Sequence, residues 1–286
     1  MVLSEERKGV VLSVLDMLAT TFPGKANRAS FRRLAAELRS DRSLSDFNRW
    51  DDRMANFQIG SFPTTKTFNW PAANIEAGTK YGAMHFPSGL WSLFHILSVS
   101  TSPTRQNPYS IMEGIYAVVE GFFRCEECRN HFLEMYEACD NGRCNIPNPG
   151  TLRGGQQSPD GEATVALWVW KMHNAVNARL AKGPDEQVEV QTSYWPSAQL
   201  CKACSSGFSA EKDQPTWSET EVLKFLTTTY SCPDDVGEGA DSPGTSWTVT
   251  CVLVCAVVSL MMWARRRQEM RGVGLTKKFV DTVPSS

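Results

Sequence analysis

The chain has 286 residues, of which 42% are hydrophobic and 21% are charged, and its formal net charge is −2. That length allows one or two compact domains with a sizeable core. The near-neutral charge gives no reason to expect binding to nucleic acid or to an anionic surface. The nine cysteines include two CxxC pairs, Cys125/Cys128 and Cys201/Cys204, and indicate either an oxidising compartment or a metal site.

Residues 1–72 are predicted to form a helical region. The first helix has apolar residues at helical spacing and Ser4 as a candidate N-cap; the apolar set is Val10, Val11, Val14, Leu15 and Leu18. A second helix is predicted around 31–38 and a third at 46–57. No pattern here indicates chemistry, so we expect this region to serve as a packing element.

Residues 73–232 hold the sequence motifs and are predicted to form a second helical unit. Apolar residues recur at three- and four-residue steps in segments separated by turns rich in Pro, Gly and Asn. The predicted helices are 86–99, 109–122, 126–138, 161–181 and 218–230. Strand signals are almost absent, so the predicted fold class is all-α. Residues 233–244 are acidic and Gly-rich and are predicted to be a linker.

Residues 245–264 are predicted to form a transmembrane helix, because an uncharged segment of this length can cross a bilayer. Trp247 and Trp263 bracket the segment like interfacial anchors, and Arg265, Arg266 and Arg267 follow it. The positive-inside rule then places the tail 265–286 in the cytosol and the body in the lumen of the secretory pathway or at the cell surface, as in a single-pass type I protein.

The first residues do not have the pattern of a signal peptide, because Glu5, Glu6, Arg7 and Lys8 precede any apolar core. Two interpretations follow. Either the span is a tail anchor and the body is cytosolic, or the chain is part of a longer secretory-pathway protein. The cysteine usage favours the second interpretation.

The segment RCEECRNHF at 124–132 places Cys125 and Cys128 at the predicted start of a helix. The positive end of the helix dipole favours the thiolate, which is the nucleophile in disulfide exchange. A CxxC pair is equally often half of a zinc site, so the pair alone is ambiguous.

Aromatic, histidine and asparagine side chains recur in the neighbouring predicted helices. Trp91 and His95 lie four residues apart on one helix face. Within two turns of another helix lie Trp170, His173, Asn174 and Asn177. Aromatic and imidazole faces stack on planar rings, and Asn can bond to a heterocycle edge or a ribose. Together these residues predict a slot for a large planar cofactor.

The segment 86–230 resembles the flavin domain of the Erv/ALR family, in the form found in quiescin sulfhydryl oxidases. The matching runs are FPSGLWSLFHIL, CEECRNHF, ALWVWKMHNAVNARL, YWPSAQLCKAC and WSETEVLKFLTTTY. The resemblance implies a four-helix bundle with FAD at one end, and the region before it resembles the degenerate helical module of that family.

The resemblance also assigns residues. Cys125 matches the cysteine that exchanges with an incoming dithiol, and Cys128 the cysteine that faces the flavin. The positions matching FAD contacts are Trp91, His95, Glu127, His131, Trp170, His173, Asn174, Asn177 and Trp195. Cys201 and Cys204 match an additional CxxC, which we expect to be a structural staple.

The implied activity is FAD-dependent oxidation of thiol pairs to disulfides, with reduction of O2 to H2O2. The implied substrates are thiol-bearing proteins or small dithiols. Full-length members of the family begin with a thioredoxin-like domain, and nothing of that kind precedes Cys125. We therefore expect the chain to be a fragment, with a thioredoxin-like domain upstream or a partner in its place.

Other positions depart from the family pattern. A cysteine usually precedes the LWSLFH run but is missing here, Met84 stands where Arg is common, and Thr192 stands where Lys is common. Cys139 and Cys144 have no counterpart. The Asn141-Gly142 step between them favours a tight turn, so we predict a local disulfide, with two free thiols as the alternative.

Two other functions remain open from the residues alone. One is a membrane-anchored zinc-binding adaptor that uses both CxxC pairs, although the gap between them is far longer than in a zinc ribbon. The other is a flavin-free disulfide relay. Neither of these two functions explains the recurring Trp, His and Asn residues.

Overall fold

The structure is a computed structural model that describes residues 5–41, 46–57, 80–99, 108–123, 125–146, 161–181, 194–209, 211 and 214–231. Its helices are α1 (Glu5–Thr21), α2 (Lys25–Ser40), α3 (Phe47–Ala55), α4 (Lys80–Val99), α5 (Pro108–Phe122), α6 (Glu126–Glu137), α7 (Gly161–Ala181) and α8 (Glu219–Tyr230). A 3-10 turn at Asp140–Asn145 follows α6, and the strands β1 (Ser205–Ser209) and β2 (Gln214–Trp217) precede α8. The described part of the chain is thus mostly helical, as predicted.

The short β-hairpin corrects the expectation that strands are almost absent. β1 and β2 pair antiparallel, and a register shift between Ser205 and Phe208 interrupts the ladder. Gly207 lies at that shift with a φ of 129°. Because the strands are short and the alternation of side chains is broken, no period-2 pattern survives in the sequence.

The first three helices form where the sequence predicted a helical region. On α2, Phe31, Leu34 and Leu38 are buried at helical spacing. The carboxylate of Asp46 caps α3 by accepting from the backbone N–H of Asn48 at 3.0 Å. Helix α1 packs against α2 and α5 and so joins this region to the rest of the molecule.

Helices α4, α5, α6 and α7 pack as a bundle in which α5 contacts the other three, and α8 packs against α4 and α7. Helix α7 has two buried faces. Trp168 and Met172 belong to the larger core with α1, α4 and α5, whereas Ala166 and Trp170 join the smaller core around the hairpin and α8. Helix α7 is therefore packed between the larger core and the smaller core, which fixes the residues between its two buried faces.

Gly114 lies where α5 packs closely against α1. A Cβ atom there would lie 2.3 Å from Sδ and 2.7 Å from Cβ of Met17. We expect Gly114→Ala to lower the free energy of unfolding by about 1–3 kcal/mol, because the helices must separate to admit the methyl group. Urea denaturation measures this loss.

Gly9→Ala is the matched control, because Gly9 lies on α1 with nothing within 4 Å of its would-be Cβ. Higher helix propensity should raise stability there by roughly 0.5–1 kcal/mol. Equal unfolding midpoints for the two variants would contradict the close packing of α1 on α5.

Several predicted segments lie outside the described residues. These are Ser4, 58–72, the linker 233–244, the span 245–264 and the tail 265–286. Within the part of the chain that the structure describes, no helix has both the length and the apolar character that a bilayer crossing requires.

Candidate functional site

Cys125 and Cys128 form a disulfide at the first turn of α6, with their Cα atoms 5.2 Å apart. Cys125 is the N-cap residue, and its Sγ accepts from the backbone N–H of Cys128 at 3.2 Å. Cys125 is exposed and Cys128 is half-buried. A thiolate arriving from solvent therefore meets Cys125, and the sulfur it displaces is near the positive end of the helix.

Glu127 and His131 lie on the same side of α6, with 3.8 Å between the Glu127 carboxylate and the His131 ring. Arg179 of α7 reaches the Glu127 carboxylate at 3.4 Å. Because Glu127 lies between Cys125 and Cys128 in sequence, this ion pair places the disulfide beside the C-terminal part of α7.

A cluster of rings, which we call the ring cluster, lies where α4, α7, α8 and the loop before the hairpin meet; it consists of Trp91, His95, His173, Trp195 and Tyr230. The rings of Trp91 and His173 stack with centroids 4.5 Å apart and an interplanar angle of 10°. His95 stacks on Tyr230 at 5.2 Å and contacts Trp195 at 4.8 Å. Nε2 of His95 lies 3.1 Å from Nδ1 of His173, which is hydrogen-bonding distance.

Both histidines of the ring cluster are neutral at pH 7. Burial, and secondarily the nearby His173, lower the pKa of His95 well below its usual value. Burial lowers the pKa of His173 to about 4. The hydrogen bond between the two facing nitrogens therefore uses one N–H, because a neutral imidazole has one nitrogen that donates and one that accepts.

These shifts predict a loss of stability in acid. Because the native pKa of each histidine lies below its unfolded value near 6.5, the unfolded state binds more protons as the pH falls. Stability from this source is complete above pH 6.5 and declines as the pH falls below it, toward about 4 for His173, by roughly 1 kcal/mol per pH unit for that histidine. Urea denaturation of the apoprotein at a series of pH values measures the slope.

His173→Phe is the matched variant, because it keeps a ring on Trp91 and removes the titrating group. We expect a shallower dependence of the unfolding free energy on pH between 6.5 and about 4. An unchanged slope would show that His173 does not titrate with the shifted pKa.

Trp195 is fixed by two side chains of α7. The side-chain amide of Asn174 donates to the Trp195 carbonyl at 2.7 Å and accepts from the Trp195 N–H at 2.8 Å. The indole N–H of Trp170 donates to the same carbonyl at 2.8 Å. Asn177 lies half-buried farther along α7. Asn174 and Trp170 thus act on the backbone that carries the Trp195 ring.

Tyr230 is the member of the ring cluster that sequence reasoning missed. Its position follows from α8, where Val222, Leu226 and Tyr230 occur at four-residue steps and the first two are buried. That stripe is visible in the sequence, but only the packing of α8 on α4 shows that Tyr230 reaches His95.

The other two cysteine pairs also form disulfides. Cys201–Cys204 lies in the smaller core, where Cys204 is fully buried beside Val222 and Leu226. Cys139–Cys144 closes the turn after α6. All four CxxC sulfurs are therefore bonded within their own pairs, and among the described residues no three His, Cys, Asp or Glu side chains gather as around a metal ion.

The ring cluster fits a planar cofactor in one respect that the structure shows directly. Nδ1 of His95 is buried and has no hydrogen-bond partner within the described ranges. A buried polar atom of this kind needs a partner. Flat ring faces and an unsatisfied imidazole nitrogen are what the isoalloxazine or adenine part of a flavin would meet.

Comparison with known proteins finds similarity over the same part of the chain. Residues 88–196, which hold Cys125, Cys128 and the ring cluster apart from Tyr230, match the model of the Erv1/Alr family. This region is therefore similar to the Erv1/Alr family. More particularly, the chain resembles sulfhydryl oxidases of the quiescin type.

Sulfhydryl oxidase 1 of Cavia porcellus is 33% identical over 174 residues, which are 58% of this chain and 25% of the relative. Sulfhydryl oxidase 1 of Homo sapiens is 28% identical over 241 residues, which are 80% of this chain and 29% of the relative. The sulfhydryl oxidase fragment of human QSOX1 superposes with a TM-score of 0.54 at 26% identity, covering 80% of this chain and 86% of that fragment. The chain thus spans little more than a quarter of the curated relatives' length.

Proposed function

We propose that this chain is an FAD-dependent sulfhydryl oxidase that converts pairs of thiols to disulfides and reduces O2 to H2O2. The observation that carries the proposal is the exposed Cys125–Cys128 disulfide at the start of α6, tied by Arg179 to the helix that bears His173. Arg179 follows His173 by six residues, which is about 9 Å along a helix.

The order of the thiol chemistry follows from the greater exposure of Cys125 than of Cys128. A substrate thiolate attacks Sγ of Cys125, the Cys125–Cys128 bond breaks, and Cys128 leaves as a thiolate at the helix N-terminus. The second substrate thiol then attacks the mixed disulfide and releases Cys125. The substrate leaves as a disulfide, and two electrons remain on the cysteine pair. FAD held by the ring cluster would supply the acceptor for these electrons and the route to O2.

We propose that the FAD rings contact Trp91, His95, His173 and Trp195, with the orphaned Nδ1 of His95 inside the site. Glu127, His131 and Asn177 flank the cofactor. For Trp170 and Asn174 the hydrogen bonds to Trp195 support an indirect role, in which they hold the Trp195 backbone rather than only touch the cofactor.

Purification of the full chain tests this proposal. The protein should be yellow, with a flavin absorbance band that thiols bleach without oxygen, and a dithiol should produce peroxide when oxygen is present. A colourless protein, loaded with zinc or with no ligand, would overturn the proposal in favour of an adaptor or a flavin-free relay.

We also propose the membrane topology and the electron source of this oxidase. The uncharged segment 245–264 and the arginines after it support a single span with the oxidase in the lumen of the secretory pathway. A thioredoxin-like domain or partner would deliver electrons to Cys125. Protease protection of membrane vesicles tests the topology: the tail 265–286 should be digested from the cytosolic side and the oxidase should be protected.

A further inference from the structure

The disulfide Cys139–Cys144 has no role in the proposed oxidase reaction. It closes the turn that follows α6, with Cα atoms 5.3 Å apart. The backbone of this turn is left-handed at Cys139 (φ 63°), Asn141 (φ 57°) and Gly142 (φ 81°). Two of these three residues are not glycine, and the left-handed backbone conformation is less favourable for such residues.

The two sulfurs of this disulfide differ in their surroundings. Cys144 is exposed, whereas Cys139 is half-buried. The guanidinium of Arg143 donates to Sγ of Cys139 at 3.3 Å and lies over the ring of Tyr136 at 4.4 Å. The Tyr136 hydroxyl in turn donates to Glu113 of α5 at 2.5 Å. Arg143 is thus held against one sulfur while the other faces solvent.

This arrangement favours one direction of attack. A thiol exchanges faster with a disulfide when the leaving sulfur is stabilised as a thiolate. An adjacent Arg stabilises a thiolate, and here it contacts Cys139. When a thiolate attacks the exposed Cys144, the displaced sulfur is therefore that of Cys139, which Arg143 stabilises as a thiolate.

We infer that Cys139–Cys144 is a second thiol–disulfide exchange site, independent of the oxidase site. The thiolate of an external dithiol attacks Sγ of Cys144, the Cys139–Cys144 bond breaks, and Cys139 leaves as a thiolate beside Arg143. The second external thiol attacks the mixed disulfide and releases Cys144. The external dithiol becomes a disulfide, the pair gains two electrons and two protons, and an external disulfide returns the pair to its oxidised form.

The site works apart from Cys125 because the two pairs lie at opposite ends of α6. That helix has 12 residues and spans about 18 Å, which is too far for direct exchange between the sulfurs. Reduction should also leave the fold in place. The side-chain amide of Asn141 binds Sδ of Met172 on α7 at 3.2 Å, and the chain entropy contributed by a ring of this size lies at the low end for disulfides.

The test uses the full chain carrying Cys125→Ser and Cys128→Ser, so that its outcome does not depend on the oxidase reaction. The protein is exposed to dithiothreitol for increasing times, alkylated, digested with trypsin and analysed by mass spectrometry. Trypsin cleaves after Arg143, so Cys139 and Cys144 then lie in separate peptides joined only by their disulfide.

Cys201–Cys204 in the same molecule is the internal control, since Cys204 is buried at 0% exposure. We expect Cys139–Cys144 to be reduced at least about tenfold faster. Oxidised glutathione should then restore it. Equal rates for the two disulfides, or free thiols at 139 and 144 in the untreated protein, would overturn the inference.

Variants of Arg143 test the leaving-group argument. Arg143→Gln should slow reduction of Cys139–Cys144 about threefold, as a shift of one pKa unit at the leaving sulfur implies. This variant loses the tryptic site between the two cysteines, so its reduction is measured from the mass that alkylation adds to the single peptide holding both. Arg143→Lys keeps the cation and should restore most of the rate. If Arg143 only maintains the structure of the turn, the rate of reduction should fall in neither variant or equally in both. Either result would contradict the role of Arg143 in stabilising the leaving sulfur.

Discussion

Replacing Cys128 with serine is expected to reduce thiol-dependent oxygen consumption by on the order of 10³-fold or more, because two residues that act as one unit both fail when either is lost. The remaining Cys125 is a free thiol, so the variant has no disulfide for a substrate thiolate to attack. Oxygen-electrode assays with a dithiol measure the rate. Flavin content should stay near that of the parent protein, since Cys128 is only half-buried.

Cys125→Ser and the double variant Cys201→Ser, Cys204→Ser complete this experiment. Cys125→Ser should be as inactive as Cys128→Ser, because the exposed sulfur is the one that a substrate reaches. Loss of Cys201–Cys204 should cost about 2 kcal/mol of stability while the rate per bound flavin stays close to normal. If the Cys128→Ser protein kept substantial activity, the proposed path of electrons through the α6 disulfide would be wrong.

The helices were predictable because each buries a stripe that repeats at helical spacing, and such a stripe can be read without knowing what covers it. Leu34 and Leu38 of α2 are an example, since both are fully buried one turn apart. The hairpin was not predictable, because the bulge at Gly207 removes the alternation that identifies strands. Local periodicity therefore predicts helices well and irregular strands poorly.

The ring cluster, apart from Tyr230, was predictable in composition but only partly in geometry. The resemblance marked Trp91, His95 and His173 as one group, and the structure brings their rings together although His95 and His173 are 78 residues apart. It did not show that Asn174 binds the Trp195 backbone, because that contact depends on how a loop folds back onto α7. Tyr230 was missed for the same reason, since its partner lies on another helix.

Asn174→Ala is expected to lower the unfolding free energy of the apoprotein by about 2–3 kcal/mol. It removes both hydrogen bonds to the Trp195 backbone and a third to the Trp170 carbonyl. The Trp195 N–H is left without its partner, whereas the Trp195 carbonyl keeps the indole N–H of Trp170. Urea denaturation of flavin-free protein measures the stability. Flavin affinity should fall as well, because the Trp195 ring is no longer fixed against His95.

Asn177→Ala separates these two effects, because Asn177 lies on the same helix one turn later and is only half-buried. If Asn177 contacts the cofactor directly, its variant should bind flavin more weakly while the unfolding midpoint of the apoprotein stays unchanged. Asn174→Ala should lower both quantities, since its effect on flavin passes through the backbone of Trp195. Equal behaviour of the two variants in the apoprotein would show that the Asn174 hydrogen bonds do not hold Trp195. The arrangement of the ring cluster would then depend on stacking alone. Flavin affinity would change when a ring is substituted and not when the Asn174 amide is removed.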